Sequence, residues 1–265
     1  MTTRSTVLAL ALLSATSALA QEDFLRVYQW ETPQQGWVEL NLWTTWVVSS
    51  GVPYQRYGLQ GDRTGAIAHS FEVEYGVTDR LAIGAYTDFD QPPGGGFEFH
   101  RARVVARYRL FNRYDYFFDP ALYAELYFPR AATGEAQELE LRLILEHDFG
   151  DFRWDINALL AKALSTEEVG NGLAGSLATG VYWRRFWVAQ PGLELFWSFG
   201  QIGHSPALSA QSVVLSPSVD IRFGQAWTWH LAAGVGLTEG SDHFLVRSIL
   251  TFEFPTTRPA DQAAP

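Results

Sequence analysis

The stretch Phe97 to Leu110, FEFHRARVVARYRL, limits what this chain can fold into more than any other. Read with a period of two, Arg101, Arg103, Val105, Arg107 and Arg109 share one face. Ala102, Val104, Ala106, Tyr108 and Leu110 share the other. Successive side chains of a strand point to opposite faces, whereas a period of 3.6 would scatter the arginines around a helix. The stretch is therefore read as a strand with four guanidiniums in one column, and the fold must give that column a polar space to face.

The same alternation recurs from Gly36 onward. Twelve segments carry it: Trp37 to Val48, Ala66 to Tyr75, Leu81 to Asp88, the arginine segment, Ala121 to Phe128, Glu138 to Phe149, Phe152 to Leu164, Ala174 to Trp183, Phe186 to Phe199, Ser212 to Phe223, Trp227 to Leu237 and Phe244 to Phe254. Turn signals such as Gly150-Asp151 and Gly224-Gln225 separate them. Pro191 and Pro217 fall inside the ninth and tenth segments. Proline cannot donate to a ladder, so an irregularity is expected at each, with ten strands as the fallback count.

The N-terminus is read separately. MTTR, the apolar run Val7 to Leu13 and the small residues ending Ala18-Leu19-Ala20 have the form of a secretory signal peptide over residues 1–20. The apolar run is too short to cross a bilayer, which takes about 20 residues. Residues 21–35 read as a polar, irregular lead-in on the periplasmic side, and residues 255–265 as a disordered tail. Cysteine is absent, so disulfides do not brace this exported chain. The formal net charge of −10 argues against nucleic acid as a partner, because phosphate binding needs a basic face.

A soluble sandwich and a membrane barrel both use short alternating strands. The connections decide between them. They alternate between short and long, as in bacterial barrels with tight periplasmic turns and longer outer loops. Asn112 to Asp119 is a partial exception, being long where a short turn is due. Aromatics also crowd the short-turn ends: Tyr75, Tyr108, Trp154, Trp183, Trp187, Trp227, Trp229, Phe252 and Phe254 form an expected periplasmic girdle at the headgroup level. Trp46, Phe128, Trp197, Phe199 and Phe244 would form a thinner outer one. Mean hydropathy near zero is no objection, since a spanning strand needs only about 9–11 residues with alternate ones apolar. An arginine facing lipid costs about 2–4 kcal/mol at the midplane. Four would cost on the order of 10 kcal/mol, a whole domain's stability, so the column must face inward. The expected fold class is all-β: a single antiparallel up-and-down transmembrane barrel over residues 36–254. Lys162, the single lysine, has lipid-facing parity near the outer rim, where it can snorkel.

This pattern resembles Gram-negative outer-membrane β-barrels over Gly36 to Phe254. The hairpin Tyr75-Gly76-Val77-Thr78-Asp79-Arg80-Leu81, followed by Ile83-Gly84, is similar to one in small barrels grouped with the outer-membrane proteins of phenol-degradation (MetA-type) pathways. Phe252-Glu253-Phe254 resembles the C-terminal aromatic signal of such barrels, although Pro255 to Pro265 follow it here. The resemblance implies an outer-membrane address, lipid and lipopolysaccharide around the barrel, the barrel-assembly machinery as a folding partner, and a small solute as cargo.

The strongest chemical constellation is a lumen charge cluster. It comprises Arg101, Arg103, Arg107 and Arg109, then Glu125 on the next segment, Glu138, Glu140, Arg142 and Glu146 on the one after, and Glu72 and Glu74 two segments back. It reads either as a selectivity lining or as an ionic plug that fills a narrow barrel and fixes register. Enzyme signals are poor. His69-Ser70 and His204-Ser205 are adjacent pairs, and His69-Ser70 must point to opposite faces of a strand. The six histidines lack metal-ligand spacing, and no cofactor motif is present. The expected function is passive passage or binding of a small solute. A non-conducting structural barrel and a lipid-modifying enzyme are the alternatives.

Overall fold

Alternation of apolar and polar residues over about ten positions builds strands long enough to span a bilayer, and the turns between them leave antiparallel neighbours as the simplest pairing. The computed structural model describes residues 25–59 and 61–256. The expected signal peptide and most of the C-terminal tail lie outside them. Twelve strands follow in order: β1 (Trp37–Ser49), β2 (Ile67–Gly76), β3 (Leu81–Gln91), β4 (Glu98–Arg109), β5 (Asp119–Pro129), β6 (Glu138–Phe149), β7 (Phe152–Ala163), β8 (Ala174–Trp183), β9 (Ala189–Gln201), β10 (Ser212–Phe223), β11 (Trp227–Gly236) and β12 (Phe244–Pro255). Each pairs with its sequence neighbour, and β1 pairs with β12 to close the barrel.

Burial is inverted relative to a water-soluble core. Among the described residues, the buried set holds more polar and charged side chains than apolar ones, while Leu42, Phe71, Val73, Val104, Leu122, Leu141 and Leu193 are exposed. The apolar face of each strand points out of the barrel and the charged face into it. A contiguous apolar exterior of this kind is what a lipid-facing surface requires.

Both proline segments are strands, so the fallback of ten does not apply. Pro217 pairs with Leu193 on β9, but the ladder to β11 runs from Leu215↔Val235 to Ser218↔Ala232 and resumes in the same register. The missing N–H breaks the ladder locally without slipping it. Pro191 lies near the start of β9, beyond the last rung with β8 at Tyr182↔Gly192. β9 itself begins at Ala189, later than the alternation suggests, because Phe186, Trp187 and Val188 are part of the turn over 184–188.

The expected short-turn aromatics lie on the outside of that end. Tyr75, Tyr108, Trp183, Trp187, Trp227 and Trp229 are exposed, and Trp154, Phe252 and Phe254 are half-buried among neighbouring rings. Phe149, Phe152, Trp183 and Phe186 form a row with centroids 5.3–6.4 Å apart. Lys162 bends onto the loop beyond β7 and donates to the carbonyls of Val169 (2.8 Å) and Asn171.

One expectation is corrected. Part of the polar lead-in enters the barrel. Leu25, Val27, Tyr28 and Trp30 are at most 6% exposed. Leu25 and Val27 pack on Ala178, Phe196, Val214 and Leu245. Tyr28 and Trp30 pack with Trp43, Tyr86, Val105, Tyr123, Ile144 and Ile249. The lead-in contains a cluster, Leu25 to Trp30, too apolar to remain in water, and the lumen offers a matching apolar strip. The segment leaves the lumen at the short-turn end through Gly36, whose φ of 77° suits glycine. There it passes so close to β2 that a Cβ on Gly76 would lie 2.0 Å from the Gln34 carbonyl oxygen.

Candidate functional site

The lumen wall is built by register. The β3–β4 ladder sets Arg103 opposite Tyr86, and the β4–β5 ladder sets it opposite Tyr127. Because side chains alternate, this register turns Arg101, Arg103 and Arg107 inward together.

The column finds its partners on both sides. Arg103 donates from Nη1 to Glu125 Oε1 (2.7 Å) and from Nη2 to Asp88 Oδ1 (3.0 Å) and Ser70 Oγ (3.1 Å). Its guanidinium carbon lies 3.9 Å from the Tyr86 ring centroid. Arg101 Nε bonds Asp88 Oδ2 at 2.7 Å, and Arg107 Nη2 bonds Glu74 Oε2 at 2.5 Å. Arg109 lies with its guanidinium carbon 4.6 Å from the Trp30 ring centroid. Arg142 pairs with Glu140 of its own strand at 2.7 Å. Glu146 accepts from Arg113 at 2.5 Å. Glu138 stands half-buried at the other end of β6. Glu72 is shared by Asn41 (2.9 Å), Trp43 Nε1 (3.0 Å) and the Tyr86 hydroxyl.

A second network on the opposite wall was not read from sequence. Arg247 bonds Glu194, which also accepts from Tyr182 Oη at 2.7 Å. His230 Nδ1 lies 2.7 Å from Asp220 Oδ1, and Arg153 Nε donates to Asp155 Oδ2 at 2.9 Å. Each of these residues occupies an inward position of its strand, so parity alone could have found them. They are spread over the six strands β7 to β12, without the density that made the arginine column visible. Asp88, partner of both Arg101 and Arg103, was likewise overlooked at the end of its segment.

The inserted segment is held through its backbone. Asn157 accepts from Tyr28 N–H (2.7 Å) and donates to Tyr28 C=O (2.9 Å), as a neighbouring strand would. Glu146 Oε2 accepts from Trp30 N–H (3.0 Å), and Arg142 donates to Arg26 C=O (3.3 Å). These wall side chains satisfy backbone groups that would otherwise be buried unpaired. Arg113, on the turn over 110–118, donates to Glu31 and to Asp148 (3.0 Å). The turn that is too long for its end of the barrel thus reaches over the mouth and fastens the segment. The missed signal was twofold: the cluster Leu25 to Trp30, and apolar residues at inward parity, Val105, Ile144 and Ile249, that interrupt otherwise polar faces.

The far mouth is covered by the loop over 50–66. Arg56 bonds Asp90 Oδ2 (3.0 Å) and Glu135 Oε1 (2.5 Å), and Arg63 bonds Asp242 Oδ2 (3.1 Å). His100 lies 2.6 Å from Glu135 Oε2. Burial alone would raise the Glu135 carboxyl, but the hydrogen bond with His100 and the charges of Arg56 and Arg101 hold it well below the usual carboxylate range. At the short-turn end, the inserted segment and the walls of β1, β4 and β9–β12 enclose a polar cavity of about 400 Å³. That is within the size range of small-molecule sites.

Ser70 points inward and bonds Asp88 at 2.5 Å, while His69 faces outward with Nδ1 3.0 Å from Thr44 Oγ1. The adjacent His69 and Ser70 do not meet. Among the described residues, no group of His, Asp and Glu is arranged to hold a metal ion.

No protein-family model matches the chain, and no curated protein does. Solved structures match its fold. An outer membrane channel from Pseudomonas putida F1 superposes with a TM-score of 0.61 at 12% identity, covering 87% of this chain and 100% of that one. The KdgM porin gives 0.55 at 9% identity, over 82% and 99% of the two chains. The NanC porin gives 0.54 at 9% identity, over 80% and 98%. The chain has the closed twelve-stranded fold of Gram-negative outer-membrane channel barrels.

Proposed function

We propose that the chain is an outer-membrane channel for a small polar or charged solute, closed at rest by its own residues 25–34. Its short turns face the periplasm, its long loops face outward, and its exposed aromatics meet lipid headgroups and lipopolysaccharide. The barrel-assembly machinery inserts it. The observation that carries this reading is the lodging of the segment. A lumen that takes in an extended polypeptide, and bonds its backbone through Asn157, Glu146 and Arg142, has room for a small solute once that polypeptide withdraws. The ion pairs of the arginine column are made within the wall, between strands β2 to β5, and leave the path itself to the segment.

The test is liposome swelling with the refolded full chain and its Asn157→Ala/Trp30→Ala variant, using small sugars and amino acids as solutes. The variant removes the paired backbone bonds and the ring stacked with Arg109. Swelling several-fold faster than with the unaltered chain is expected. A correctly folded variant as tight as the original would favour the second reading, a non-conducting structural barrel, which the dense pairing of Arg101, Arg103 and Arg107 otherwise supports.

A further inference from the structure

The inserted segment carries one cation into the lumen. Arg26 lies with its guanidinium carbon 4.7 Å from the Trp43 ring centroid and 4.7 Å from that of Tyr28, and its Nη1 is 3.6 Å from Glu72 Oε2. The receiving wall is unusual. Glu39 on β1 faces Glu74 across one ladder and Glu253 across the other, and Asn41, the next inward residue, faces Glu72. Like charges set directly opposite one another are unfavourable. Arg107 accounts for one of these carboxylates, Glu74. Asn41 Nδ2 bridges Glu39 (2.6 Å) and Glu72 (2.9 Å), and Trp43 Nε1 donates to Glu72 (3.0 Å). These bonds fix the carboxylates and the indole in place before any cation arrives. A fixed indole face beside ordered carboxylates is the arrangement that recognises guanidinium and alkylammonium groups.

We propose that the wall patch Glu39, Asn41, Trp43 and Glu72 is a binding site for small organic cations of the guanidinium or alkylammonium class, and that Arg26 occupies it as a resident surrogate. A solute of this class competes with Arg26 for the patch, so its binding and release of the segment oppose one another through one site. The inference deepens the channel reading and rests on it for its transport meaning, but the site can be tested without conduction.

The full-length Arg26→Ala protein vacates the patch while leaving the rest of the segment. Methylguanidinium chloride at millimolar concentration is titrated against its thermal unfolding, with potassium chloride as the ionic-strength control. A ligand that binds only the folded state raises Tm with concentration. The expected result is a saturable rise of several degrees in Arg26→Ala, absent in the unaltered chain and in Arg26→Ala/Glu72→Gln. Arg26→Met, which keeps the bulk of the stem, serves if Arg26→Ala folds poorly. Equal shifts with and without Glu72, or no shift in either vacated variant, would overturn the site. Methylguanidinium is also added to the Asn157→Ala/Trp30→Ala channel in a bilayer, where brief blocking events that vanish with Glu72→Gln are expected. A thermal shift together with a silent channel upholds the site and sinks the channel reading. A conducting channel without either methylguanidinium effect does the reverse.

Discussion

Arg103 shows how a charge survives in the wall of this barrel. It is 4% exposed and is held by Glu125, Asp88 and Ser70, with the Tyr86 ring against its face. Removing one member of such a buried pair leaves the other charge uncompensated, at a cost of about 3–5 kcal/mol. Arg109, from the same column, is half-buried with its guanidinium over the Trp30 ring. Exposed or loosely engaged charges contribute about 0–1 kcal/mol. Arg103→Ala is therefore expected to lower the urea midpoint of the refolded barrel far more than Arg109→Ala. Equal losses would mean that the column contributes as a field of charge and not through its individual bonds. At this scale the sequence was informative on parity and poor on partners. Strand adjacency puts Glu125 beside the arginine column as a whole. It does not single out Asp88 as the partner shared by Arg101 and Arg103, because which of several inward carboxylates a guanidinium reaches depends on register and side-chain length.

The elements that close the barrel are its irregular ones. The loop over 50–66 is fastened by Arg56 to Glu135 and Asp90, and by Arg63 to Asp242. The Glu135 carboxyl is depressed on folding, against the effect of its burial. A depressed carboxylate stabilises the closed loop fully above its unfolded value, near 4.3, and loses that contribution only as pH falls through the lower folded value. Amide exchange over residues 51–64, corrected for intrinsic rate, is thus expected to stay protected from pH 7 down to pH 4 and to rise only in stronger acid. Glu135→Gln is expected to raise it across the whole range. Loss of protection already at pH 5 in the unaltered protein would contradict this. The long turn over 110–118 is explained by the same logic, since Arg113 must reach Glu31, Glu146 and Asp148. Its length was visible in the sequence as an exception to the loop pattern. Its purpose was not, because residues 25–30 carry no strand periodicity to announce where they lie.

For the whole molecule, period-two patterning was sufficient to give strand number, antiparallel order and facing, because one buried polar face and one apolar face leave a single register open to each strand. It could not give the state of the lumen. That depends on a segment without periodicity, whose backbone is bonded by Asn157, Glu146 and Arg142 from two different strands. The chain contains no cysteine, so a single pair can be introduced without side reactions. Tyr28→Cys and Asn157→Cys, joined by a short reducible cross-linker, would fix the segment to β7. Single-channel recording of that protein in a planar bilayer, before and after reduction, tests the central claim most directly. The account predicts silence while the link is intact and discrete conductance steps once it is cut. Steps of the same size with the link intact would show that residues 25–34 do not close the path, and the plugged-channel account would be wrong.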